Sequence, residues 1–203
     1  MTIEKVFFCQ AMGQFATGVT VVTARNKDAV VGLTVNAFCS VSLEPPLVLV
    51  CIDLQSNTLS HIRESGAFAV NILTDQQEHL SRCFATSSEE RYKHFCHGSY
   101  SVAATGSPIL DGTLAFIDAR IVAEYPGGDH AIFVGQVEAM GTNGQVAFAN
   151  GSSSQSSPLA KLNGHSRTNS TVPLAYYRRQ YRHLARYYRK PSLAGYYDEP
   201  LSS

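Results

Sequence analysis

The sequence predicts a mainly β protein, an antiparallel barrel carrying a few peripheral helices. Many short runs are rich in β-branched residues and bounded by turn residues. Regular helices do not alternate with these strands, which argues against a doubly wound parallel sheet. No G-x-G-x-x-G comes after a strand, and Gly13 and Gly18 are too far apart to form one.

Ile3, Phe7, Phe8, Ala11 and Phe15 recur at helical spacing and predict an amphipathic helix that ends near Gly13. Gly18–Ala24 reads as a strand. Arg25–Asp28 is a polar turn, and Ala29–Leu33 is the returning arm of a hairpin. Asn36–Ser42 and Leu47–Asp53 are two more strands across Pro45-Pro46. Ser56 is placed to cap a helix over Asn57–Glu64, which Gly66 ends. Phe68–Leu73 is a short buried strand. Thr74 or Asp75 caps a second helix running to about Phe84, and Ser87 or Ser88 a third over Glu89–Phe95. Leu114–Val122 and Ile132–Ala139 are further strands, joined through a turn at Pro126–Asp129. The stretch from Gly141 to about Thr171 is rich in Ser, Asn and Gly and reads as a mobile surface loop. Beyond it, Tyr176–Lys190 interleaves tyrosines with basic residues.

At 203 residues the chain suits one domain with a sizeable core. Its 44% hydrophobic and 16% charged residues mark a globular protein. Zero formal net charge gives no field to draw nucleic acid or membrane. No apolar run reaches membrane-helix length, and the N-terminus does not read as a signal peptide, so a cytoplasmic protein is expected. Cys9, Cys39, Cys51, Cys83 and Cys96 are scattered, with no C-x-x-C pair, and read as reduced thiols filling the core. The histidines show no metal-ligand spacing, so no metal is expected. There is no G-x-S-x-G elbow and no pair of acids for hydrolytic chemistry.

Four constellations remain. Thr34, Asn36, Ser40 and Ser42 lie at even spacing and would share one strand face, with Ala37 and Cys39 on the other. Such a wall suits a flat, hydrogen-bonding ligand; by spacing alone it also fits a solvent-facing edge. At Asp53–Thr58 a strand gives way to a helix within three residues. Free amides there, with Ser56 and Asn57, would suit a phosphate, or form an ordinary cap. His130 comes after the Gly127-Gly128-Asp129 turn and could donate to a ligand, or bond only to local backbone. The Tyr/Arg-rich C-terminus could close a dinucleotide site, or be a solvated face; the neutral total charge argues against nucleic acid.

Linked motifs in order sharpen this. They are Phe15–Thr23, Gly32-Leu33-Thr34-Val35-Asn36-Ala37-Phe38, Ser40–Leu43, Pro45–Val48, Phe68–Leu73, Gly128-Asp129-His130, and Pro173–Tyr177 with Tyr181-Arg182. Over roughly residues 5–140 and 172–185 the chain resembles the flavin reductase family of two-component flavin monooxygenases. The resemblance implies a split β-barrel homodimer, related to pyridoxamine-phosphate-oxidase-like flavin binders, that reduces FMN or FAD with NADH or NADPH for a partner oxygenase. By this resemblance Thr34, Val35, Asn36, Ala37, Ser40 and Ser42 cradle the flavin. Cys51, Ile52 and Asp53 lie on the neighbouring strand. Ser56, Asn57 and Ser60 form the phosphate-side turn, Phe84 and Ala85 add a contact, and His130 and Tyr181 lie near the nicotinamide. Of these, His130 is the residue expected to act in catalysis. Residues 143–171 are longer and more serine-rich than the family pattern. Residues 1–190 are expected to form the domain and 191–203 a tail. Alternative readings are a flavin- or haem-binding barrel without turnover, and a reductase of a ferric chelate or corrinoid.

Overall fold

Every ladder among the residues described by the computed structural model, 3–142, 145–151, 153–154 and 172–184, is antiparallel. The chain opens with α1 (Lys5–Met12), β1 (Thr17–Gly18), β2 (Thr20–Asn26), β3 (Ala29–Val35), β4 (Phe38–Leu43) and β5 (Pro46–Asp53). Next come α2 (Thr58–Ser65), β6 (Ala67–Ile72), a 3₁₀ turn at Asp75–Gln77, α3 (Glu78–Phe84) and α4 (Glu89–His94). A 3₁₀ turn at Phe95–His97 leads to β7 (Tyr100–Val102), β8 (Pro108–Leu110), β9 (Ala115–Gly127) and β10 (His130–Thr142). Strands β11 (Gln145–Phe148), β12 (Ser153–Ser154), β13 (Leu174–Tyr177) and β14 (Gln180–His183) complete it.

The barrel wall runs β3-β2-β6-β9-β10, and β5 then pairs with β10 and β4 with β5. One edge of β10 serves two partners in succession. His130–Gln136 pair with β5, and Ala139–Thr142 pair with β11. That fork splits the barrel: β4 and β5 leave with one half of β10, and β11 and β12 with the other. A separate three-stranded sheet, β1-β13-β14, lies beside it. These ladders give the predicted mainly β split barrel.

Strand β2 is buried on both faces, so it reads as a run of β-branched residues instead of alternating. Val22 and Ala24 face the barrel core with Phe68, Val70, Phe133 and Ile52, which Leu59 and Ile62 of α2 cover. Val21 faces a second cluster with Leu73, Phe84, Phe95 and Leu174. A fully buried side chain such as Phe68, Phe133 or Ile62 contributes about 1.5–3 kcal/mol.

Several expectations need correction. The helix α1 forms, but none of its residues is buried, and Phe7 and Phe8 stay 66% and 56% exposed. Its apolar side is turned away from the core of this chain. The stretch expected as one strand from Asn36 to Ser42 is broken. Strand β3 ends at Val35, Asn36 and Ala37 form the junction, and β4 is bulged between Ser40 and Ser42. Pro126 and Gly127 belong to β9, which leaves Gly128 (φ 74°) and Asp129 as the turn. A positive φ there suits glycine. The loop expected from Gly141 onward includes the end of β10 and the strands β11 and β12. The rest of the 143–171 expectation, and the 191–203 tail, lie outside the described residues. Cys83 and Cys96 are joined by a disulfide, with Cα atoms 6.0 Å apart, so only Cys9, Cys39 and Cys51 are free. The two partners meet only because α3 and the Phe95–His97 turn pack together.

Candidate flavin-binding site

A cavity of about 440 Å³ opens where β3, the end of β5, α3 and the β13–β14 hairpin meet. That is within the range of small-molecule sites. The hairpin supplies Tyr176 and Tyr181, stacked edge to face with centroids 5.4 Å apart. The Tyr181 hydroxyl lies 2.8 Å from Ser81 Oγ, and Arg82 stacks over the Tyr181 ring at 4.7 Å. Thr34 Oγ1 donates to the Ser81 carbonyl at 2.6 Å, which ties β3 to α3 on the cavity wall.

Gly32 explains how closely α3 approaches β3. A Cβ there would lie 2.7 Å from Phe84 Cε1, inside contact distance. With no side chain at Gly32, the Phe84 ring packs directly on the strand and forms the cavity's apolar bed with Val19 and Leu33.

The predicted site residues separate into two groups. Thr34, Asn36, Asp53, Ser56, Phe84, Ala85 and Tyr181 border the cavity. Val35, Ala37, Ser40, Ser42, Cys51, Ile52, Asn57, Ser60 and His130 do not. Val35 and Ile52 turn their side chains into the barrel core, because neighbours on a strand point to opposite faces. Ser40 and Ser42 sit on β4, which pairs on one side only, with β5. Burial, and next the nearby Cys39, push the Cys51 thiol up, which keeps it neutral.

The helix start also differs from expectation. Gln55 N–H donates to Asp53 Oδ1 at 2.8 Å, Ser56 N–H to the Asp53 carbonyl at 3.0 Å, and Thr58 N–H to Ser56 Oγ at 3.3 Å. The turn therefore satisfies several of its own amides before any ligand arrives. The same cavity also carries a cation, Arg91, a buried residue on its wall. Its Nε donates to the Gly32 carbonyl at 2.8 Å, Nη2 to Thr58 Oγ1 at 2.7 Å, and Nη1 to the Thr86 carbonyl at 3.2 Å. All three acceptors are neutral, and among the described residues no carboxylate forms an ion pair with it. Burial pulls its pKa down, and an arginine still keeps its charge.

Sequence reasoning missed Arg91, Val19, Leu33, Gln55 and Tyr176. The last four adjoin or fall within motifs already quoted. Arg91 carries no distinguishing signal, because it stands among Glu89, Glu90 and Lys93 in what reads as a solvated helix.

His130 borders a second cleft, of about 290 Å³, with Leu54, Arg63, Glu124, Pro126, Gly128 and Ala131. It pairs with Asp53 in the β5–β10 ladder, so the two clefts meet at adjacent strand ends. Its Nδ1 lies 2.7 Å from Asp129 Oδ1. That hydrogen bond holds the Asp129 carboxyl below its ordinary range. An ionised carboxylate only accepts, so Nδ1 is the donor and Nε2 is left for a ligand.

The flavin reductase like domain family model matches residues 12–185. The reductase subunit HsaB of a flavin-dependent monooxygenase from Mycobacterium tuberculosis is 38% identical over 138 residues, 68% of this chain and 72% of its own. An NADH-dependent flavin reductase from a Rhodococcus species is 41% identical, over 64% of this chain and 73% of its own. The NADH:FAD oxidoreductase of Streptomyces globisporus, solved in complex with NAD and FAD fragments, superimposes with a TM-score of 0.70 at 28% identity. That superposition covers 90% of this chain and 94% of the other. With the family model spanning the barrel, the helices of the cavity wall and the closing hairpin, this chain belongs to the flavin reductase family.

Proposed function

We propose that this chain passes a hydride from NADH or NADPH to FMN or FAD held in the Arg91 cavity, and that the reduced flavin serves a partner monooxygenase. The observation that carries this is Arg91, a buried cation bonded only to neutral oxygens beside an aromatic-walled cavity. A desolvated charge is costly until an anion joins it, and a flavin phosphate or pyrophosphate would be that anion. The relatives whose names specify flavin reduction or a monooxygenase reductase subunit support the same assignment.

When bound, the flavin ring supplies the two-electron chemistry. The chain's own residues bind, orient and exclude water. Arg91 holds the phosphate end. Thr34 and Asn36 offer polar groups to the ring edge, Phe84 and Leu33 form the bed, and Tyr176 and Tyr181 close over it. His130 Nε2 is the group offered to the nicotinamide side.

The proposal includes a homodimer. Val6, Phe7, Phe8, Met12 and Phe15 are each more than half exposed, a surface that a second copy would cover. It places function in one unit, residues 1–190, with 191–203 as an appendage, in the cytoplasm where nicotinamide dinucleotides are at hand. Among the described residues no helix is long and apolar enough to cross a membrane. The test is steady-state NADH oxidation with FMN, with FAD and with no flavin. Flavin-dependent turnover is expected; tight flavin binding with oxidation only at the buffer rate would leave a binding protein in its place.

A further inference from the structure

We propose that the Cys83–Cys96 disulfide is a redox switch on flavin binding; this rests on the assignment of the Arg91 cavity to flavin. The bond closes the segment that supplies three cavity residues, Phe84, Ala85 and Arg91. Within that segment α4 is poorly anchored. Arg91 is its one buried residue, while Glu89, Glu90, Tyr92, Lys93 and His94 are exposed. Helix α4 is therefore held in place by the Arg91 hydrogen bonds, by the Glu90–His97 contact at the surface, by the packing of Phe95 and Cys96 at its C-terminal end, and by the covalent tie back to α3.

The backbone at that C-terminal end is strained. Phe95, Cys96 and His97 have φ of 48°, 52° and 53°, three successive non-glycine residues in the left-handed region. Each is unfavourable there, and such a run persists only where its surroundings over-determine it. The restraints are the Phe95 ring between Phe84 (5.1 Å) and Tyr100 (5.3 Å), the Phe95 amide on the Glu90 carbonyl, the Gly98 amide on the Phe95 carbonyl at 3.0 Å, the His97 ring against His94 (5.3 Å) and Glu90 (2.5 Å), and the disulfide at Cys96, the one covalent tie among them. Without the disulfide, the strained run can relax toward ordinary backbone and draw α4 and Arg91 off Gly32 and Thr58.

Access favours the chemistry at one sulfur. Cys83 is half-buried and Cys96 buried. A dithiol attacks as its thiolate at Cys83 Sγ. The S–S bond breaks with its electron pair on Cys96 Sγ, which takes a proton. The reagent's second sulfur then displaces Cys83, so the dithiol is oxidised to its cyclic disulfide and the protein gains two thiols. A reducing compartment suits such a device, because disulfides there are characteristically redox-sensing.

The test is FMN affinity by fluorescence quenching, before and after dithiothreitol, with a thiol titration alongside. If the dithiol form orders the wall about one-tenth of the time, apparent affinity falls about tenfold on reduction and returns on reoxidation. Cys9→Ser should respond as the parent does. Cys83→Ser/Cys96→Ser should bind weakly whether or not dithiothreitol is present; should it not fold, the reversible change in the parent alone decides. Equal affinity in both states, or five free thiols in protein kept under mild oxidant, overturns the switch. Loss of far-ultraviolet dichroism on reduction also overturns it, marking a structural staple. If the disulfide form itself binds no flavin, the site assignment fails instead.

Discussion

The two clefts at the end of β5 hold opposite charge arrangements. In the His130 cleft the cation Arg63 is already neutralised, its Nη2 standing 2.6 Å from Glu124 Oε1 at the surface. In the larger cavity Arg91 is buried and its hydrogen bonds go to two carbonyls and a hydroxyl. A surface pair of the first kind is worth little and asks for nothing more. A desolvated cation of the second kind gains from an incoming anion. On the proposed function, this difference is why the phosphate end of the flavin goes to the Arg91 cavity. On the same proposal, the His130 cleft takes an uncharged group that can use a single imidazole nitrogen.

The largest way to break this comparison is Arg91→Met. Loss of charge-assisted hydrogen bonds costs about 1.5–3 kcal/mol, so FMN affinity should fall roughly 10- to 100-fold. Riboflavin, which lacks the phosphate, should lose far less. Equal losses for the two in a fluorescence titration would mean that Arg91 shapes the wall and does not hold the anion.

Gly32→Ala tests the wall itself. The added methyl meets the Phe84 ring at 2.7 Å, and such overpacking costs about 1–3 kcal/mol. A lower melting temperature and weaker binding of riboflavin as well as FMN are expected. An unchanged melting temperature would show that the ring moves aside freely.

His130→Ala should have the smallest effect and the most selective one. Removing one hydrogen-bonding group costs about 1 kcal/mol, which is about a fivefold rise in KM for the nicotinamide dinucleotide. Flavin affinity should not change. A parallel loss of flavin affinity would merge the two clefts into one site.

Local pattern alone carried most of the barrel. The β-branched run of β2, the turn after β2, Gly66 after α2 and the Ser88 cap of α4 are short-range features, and each formed within a few residues of its expected place. Much of the cavity rim was also legible, from Thr34 and Asn36 to Ser56 and Tyr181, because it lies along strand ends that motifs mark. Tertiary structure decided the rest. Whether Val35 or its neighbour faces the core depends on where β3 ends, and hydroxyls at even spacing cannot report a chain break at Asn36 and Ala37. Helical periodicity predicted α1 but not that its apolar side would lie outside the core. Arg91 and the pairing of Cys83 with Cys96 depend on α4 folding back against β3 and α3. That placement comes from contacts between residues distant along the chain, and a linear pattern of side chains holds no record of which distant carbonyl or sulfur will come within bonding distance.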